Sequence, residues 1–131
     1  MKMEDKPDQT SFPANWGVRF LCDCKKVDNA INIHQGVAHE ISTSKVRILS
    51  DHHICEQKKI AMQLMIPSLI NGAPKKIVKI IGNSIATVMK EGKFLTEIEF
   101  LHFEEDGLKI LEKNLHQRFD PHFYAKIAQR A

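Results

Sequence analysis

Apolar and polar residues alternate along most of the chain, and this period of two predicts strands rather than helices. In Val18–Val27 (VRFLCDCKKV), Val18, Phe20, Cys22 and Cys24 share one face, against Arg19, Leu21, Asp23 and Lys25 on the other. Asp28-Asn29 supplies turn chemistry after it. The stretch GVAHEISTSKVRI (36–48) reads as two short strands, one ending at Ile41 and one spanning Val46–Leu49, joined at a polar corner. Residues 58–66 place Ile60, Met62, Leu64 and Ile66 inward; Pro67 ends that strand, and Asn71-Gly72-Ala73-Pro74 marks a turn. From Lys75 to Lys90 runs a long, β-branched segment in which Gly82-Asn83 predicts a bulge or bend. Glu91-Gly92 makes the next turn, and residues 93–103 form a further strand.

After Phe103 the period changes. Leu108, Leu111 and Leu115, with Ile110 beside them, fall at helical spacing. Acids at 104–106 suit the start of a helix, where amide groups lack partners, and Lys113, His116 and Arg118 suit its end. Asp120-Pro121 breaks it.

About six antiparallel strands with short connections, followed by one amphipathic helix, contain no parallel crossover. Closure removes exposed sheet edges. The expected fold is therefore mainly β, a six-stranded antiparallel β-barrel with a C-terminal α-helix burying its leucine stripe over one mouth or flank. Trp16 is expected to act as a lid on a barrel end. Residues 1–15, polar and holding Pro7 and Pro13, read as a flexible arm; 16–119 as the barrel plus helix; 120–131 as a tail. Phe123, Tyr124 and Ile127 lie at helical spacing in that tail and are expected to pack on the barrel or on a second subunit.

Composition narrows function mainly by exclusion. The 131 residues are 43% hydrophobic and 27% charged, ordinary for a single globular domain. The net charge of +3 comes from lysine pairs beside acids rather than a clustered basic face, which argues against a dedicated nucleic-acid binder. No apolar run resembles a signal peptide or a membrane span, and three cysteines make no disulfide framework, so a cytoplasmic protein is expected. Cys22, Cys24, His52, His53 and Cys55 are zinc-ligand types, but C-x-C along an extended strand splays the sulfurs, and no metal is expected. No nucleophile elbow, phosphate-binding glycine loop or H-E-x-x-H is present, and Glu97 and Glu99 read as an outward charged face, so no catalytic residues or cofactor are assigned.

From Trp16 to Leu115 the chain resembles the PilZ domain family of bacterial receptors and adaptors in cyclic di-GMP signalling. The resemblance lies in VRFLCDCKKV, GVAHEISTSKVRIL, the strand ending MQLMIP, the bent strand IVKIIGNSIATVMK, and FLTEIEFLHFEEDGLKILEKNL. It implies a six-stranded barrel with a C-terminal helix. Ligand-binding members carry R-x-x-x-R at or before the first strand and [D/N]-x-S-x-x-G after the second. The second motif aligns as Glu40-Ile-Ser42-Thr-Ser-Lys45, keeping the serine, lengthening the acid and replacing the glycine with lysine. Of the first, ANWGVRFLCD offers Arg19 alone.

A missing arginine removes charge-assisted contacts worth about 1.5–3 kcal/mol each, and lysine crowds a place where glycine allows close approach. The resemblance thus implies an adaptor acting by protein contact, with cyclic di-GMP bound weakly or not at all. The alternative is a cyclic di-GMP receptor with a non-standard site built from Arg19, Glu40, Ser42 and Lys45. A barrel binding single-stranded nucleic acid is a further alternative, disfavoured by the few aromatics. The expected partner is a protein, contacted through the arm, the His52-His53 loop or the tail, with a second copy of the chain as one candidate.

Overall fold

The computed structural model describes residues 11–21, 33–68 and 72–119. Expectations for the arm before residue 11, for Cys22 and Cys24, for the Asp28-Asn29 turn and for the 120–131 tail lie outside the described residues. Six strands follow in order: β1 (Phe12–Leu21), β2 (Ile33–Ile41), β3 (Lys45–Ser50), β4 (Lys59–Ile66), β5 (Lys76–Lys90) and β6 (Lys93–Phe103). Helix α1 (Gly107–Phe119) comes last.

Every pairing is antiparallel, and the sheet closes in the order β1-β2-β3-β6-β5-β4. The expected six-stranded barrel with a C-terminal helix is what forms. Alternation explains most of it, because the inward positions are mainly apolar, with Ser50, Ser84 and Thr96 as buried polar exceptions. Val18 and Phe20 of β1, Ile60, Met62, Leu64 and Ile66 of β4, and Val78 and Ile80 of β5 are all buried. They meet Ile41, Ile48 and Ile98 in one core.

Three local details bear on the site. First, β1 begins at Phe12, six residues before the expected start at Val18 and inside the segment read as an arm. Pro13 and Asn15 argue against a strand by propensity. The structure accommodates both: before Gly17 the strand pairs only with β2, so Pro13 is not needed as a donor to a second neighbour. Asn15 adopts a positive φ of 55°, and the register shifts between Pro13 and Trp16. Phe12 and Ala14 then pack against the core.

Second, β5 is bent where Gly82-Asn83 predicts, with register shifts between Ile81 and Gly82 and between Ser84 and Ala86. The Glu91-Gly92 turn has positive φ at both residues, 54° and 82°, the twist a two-residue hairpin favours.

Third, both mouths are closed. At the end where β1 starts and β4 finishes, α1 buries Leu111 and Leu115, with Ile110 half-buried. Leu108 departs from the expected stripe: it is 38% exposed, because the inward place in the first turn of α1 goes to Gly107, buried against Val78 and Phe103. Trp16 lies under this end, 3% exposed, with the Arg118 guanidinium 5.4 Å above its ring while it also donates to the Pro67 carbonyl. At the opposite end the 51–58 segment inserts Ile54 into the core. Ser84 Oγ, fully buried, accepts from Lys58 N–H (3.0 Å) and donates to the Cys55 carbonyl, tying that segment to β5.

Candidate functional site

The polar corner between β2 and β3 lies at the helix-covered end of the barrel. It is built around Ser42, only 2% exposed. Its hydroxyl oxygen accepts from the backbone N–H of Ser44 and of Lys45, each at 3.1 Å, while its own N–H donates to the Lys45 carbonyl at 2.8 Å. A serine hydroxyl that accepts from the N–H groups two and three residues on closes a turn of its own. None of residues 42–45 has a positive φ, so this loop does not need glycine at Lys45 to hold its shape. Ser44 is tied in by its carbonyl, which accepts from Phe100 N–H at 2.8 Å.

Around the corner the charges pair off. Glu40 Oε1 accepts from Arg47 at 2.9 Å. Glu97 on β6 takes Lys45 Nζ at 3.3 Å on one oxygen and Arg47 Nε at 3.5 Å on the other. Register explains the grouping, since Arg47 stands opposite both Glu40 and Glu97 and Lys45 opposite Glu99. Ser11, Glu40, Ser42, Lys45, Val46, Arg47 and Glu97 line a hollow of about 180 Å³.

Glu40, Ser42 and Lys45 are thus brought together, and Arg19 is not. Arg19 sits on the outer face of β1, opposite Gln35 and Gln63, and donates to Gln63 Oε1 at 3.3 Å. The β1 residue beside the corner is Pro13, paired with Glu40. Arg19 lies six residues further along β1, past the bulge at Asn15, a separation of roughly 15–20 Å at strand rise. Sequence reasoning missed Arg47 as a member of the corner. Its alternation with Lys45 along β3 was visible, but its partner depended on a register shift in β2 between Ala38 and Glu40.

The other expected contact loop forms a ring cluster at the opposite mouth. The His52 and His34 rings stack with centroids 3.6 Å apart and planes at 13°, and Phe20 lies 5.6 Å from His34. Burial, then the neighbouring His34 and His53, hold His52 below the ordinary imidazole range. Its Nε2 is buried without a hydrogen-bond partner. His53 is exposed, edge-on to Phe94 at 5.1 Å. Among the described residues, no group of three or more His, Cys, Asp or Glu side chains is placed to hold a metal ion, and no helix is long and apolar enough to cross a membrane.

No protein-family model matches the chain, and no curated protein matches it in sequence. Among solved structures, it is similar to the Bacillus subtilis inhibitor of motility (MotI/DgrA), with a TM-score of 0.67 at 9% sequence identity over 88% of this chain. The alignment takes in 51% of that protein, so the chain spans about half its length. At such low identity the likeness speaks to the fold, and the fold it supports is PilZ-like.

Proposed function

We propose that the chain is a non-enzymatic, PilZ-like adaptor in bacterial cyclic di-GMP signalling, working in the cytoplasm by protein contact and binding the nucleotide weakly or not at all. The observation that carries this reading is the internal pairing of the β2–β3 corner. Its serine hydroxyl is engaged with its own loop, and its two cations, Lys45 and Arg47, face two carboxylates, Glu40 and Glu97. Two positive and two negative charges leave no net attraction for a phosphodiester. The hollow of about 180 Å³ is also below the roughly 300–1,000 Å³ of usual ligand sites. The receptor reading needs Arg19 in the same site, and Arg19 lies far along β1.

Two further features support the proposal. The fold is shared with a protein named for inhibiting motility. On the outer wall, Val37, Leu49, Leu95 and Val88 are direct cross-strand neighbours, and the end members are 38% and 57% exposed, an apolar row suited to protein contact. The arm and the 120–131 tail are further candidate contacts.

Isothermal titration with cyclic di-GMP tests the reading. The expected result is no saturable heat below about 100 μM nucleotide, equivalent to binding weaker than roughly −5.5 kcal/mol. A micromolar or tighter Kd overturns it.

A further inference from the structure

We propose that a second site, on the outer wall over β1, β4 and β5, binds an aromatic monoanion: a flat apolar body of one or two rings carrying one carboxylate. This goes beyond the adaptor reading and does not depend on it.

The site follows from register. Arg19 of β1 stands opposite Gln63 of β4, and Gln63 opposite Lys79 of β5, so the three form one outward row. Two residues further along, Leu21 stands opposite Ala61, and Ala61 opposite Ile81, forming a second outward row. Outward rows two residues apart are separated by about 6.7 Å, and neighbouring strands by about 4.8 Å. A polar, cationic ledge therefore runs beside an apolar one.

The small side chain at the centre of the apolar row makes the groove. Ala61 is flanked by two larger residues, Leu21 and Ile81, and the resulting cavity of about 380 Å³ lies within the usual range for small-ligand sites. Leu21 is left 39% exposed, an apolar wall facing outward.

Charge selects the ligand. Neither Arg19 nor Lys79 is in an ion pair with a described residue. Arg19 is steered by its bond to Gln63, which points its guanidinium along the polar row. Glu104 also lines the cavity and offsets one of the two positive charges, leaving one to be matched. A planar guanidinium both stacks on rings and grips a carboxylate with two parallel bonds. A monoanion with a flat body uses all of these features at once, with its ring over Ala61 and its carboxylate between Arg19 and Lys79.

The test is an amide-detected NMR titration of the full chain with 2-naphthoate, with 2-naphthamide as the neutral counterpart. Naphthoate is expected to shift Arg19, Ala61, Gln63, Lys79 and Ile81 saturably. Its affinity should fall at least tenfold in R19Q/K79Q, which removes two charge-assisted contacts, and at least tenfold in A61L, which fills the groove. The amide should bind at least tenfold more weakly than the acid. These side chains point outward, so the core survives substitution, and R19Q/K79Q carries the test alone if A61L disturbs β4. Shifts located elsewhere, no saturation by millimolar naphthoate, or equal binding by R19Q/K79Q overturns the proposal.

Discussion

Ser42 carries the conformation of the β2–β3 corner on one oxygen. Replacing it with alanine strands two backbone N–H groups, those of Ser44 and Lys45. S42A is expected to lower unfolding free energy by about 1–3 kcal/mol in urea melts. A change under about 0.5 kcal/mol would mean that the corner is held by its strands alone. His52 gives a pH-dependent counterpart. Its folded pKa lies below the ordinary 6.5, so below that value the unfolded chain binds more protons than the folded one. Stability from this group is therefore complete above 6.5 and is lost as pH falls towards the folded pKa. Urea midpoints should decline as pH falls below the ordinary 6.5, and H52F, which keeps a ring beside His34 and Phe20, should flatten that slope. An unchanged slope in H52F would assign the pH dependence to other groups. At this scale the serine and its awkward lysine were legible as a polar corner. That the lysine is conformationally ordinary and its charge already matched was not, because both depend on φ angles and on strands distant in sequence.

Among the elements, the β5–β6 hairpin shows how local sequence can specify tertiary geometry. Gly82 marks the bend of β5, and a Cβ there would stand 2.5 Å from Ile98 Cγ2 and 2.9 Å from the Glu99 carbonyl. G82A is thus expected to destabilise by about 1–3 kcal/mol or more, as overpacking does, with thermal melts as the measure. A melting temperature equal to the parent's would show that β6 yields at no cost. The bend was readable because glycine weakens a β-branched strand wherever the backbone does not have to bend or approach a neighbour closely. The start of β1 was not, since Pro13 and Asn15 oppose a strand and only a one-sided pairing and a bulge admit them. For α1 the leucine spacing identified the helix, yet Leu108 stays 38% exposed, because the helix is rotated to pack Gly107 rather than Leu108 on the barrel, and periodicity alone does not fix that rotation.

For the whole molecule, closure of both mouths converts six strands into a single core. Leu111 is fully buried where α1 meets that core, so L111A should cost about 2–5 kcal/mol. Urea denaturation checks this, and a loss below about 1 kcal/mol would show that the helix is only loosely attached. The amino-acid sequence by itself determined strand identity, the β5 bend, the hairpin turn and the closing helix, because each follows from side-chain period or from backbone preference within a few residues. It also determined that the glycine of the ligand motif and the arginine pair are absent from the places that the PilZ resemblance assigns to them. Only the tertiary structure decided which charges meet: that Lys45 and Arg47 share Glu97, that Arg19 stands apart from both, and that Arg19 and Lys79 flank the groove over Ala61. Those groupings join residues from different strands through register, and a shift of one residue turns a side chain to the opposite face.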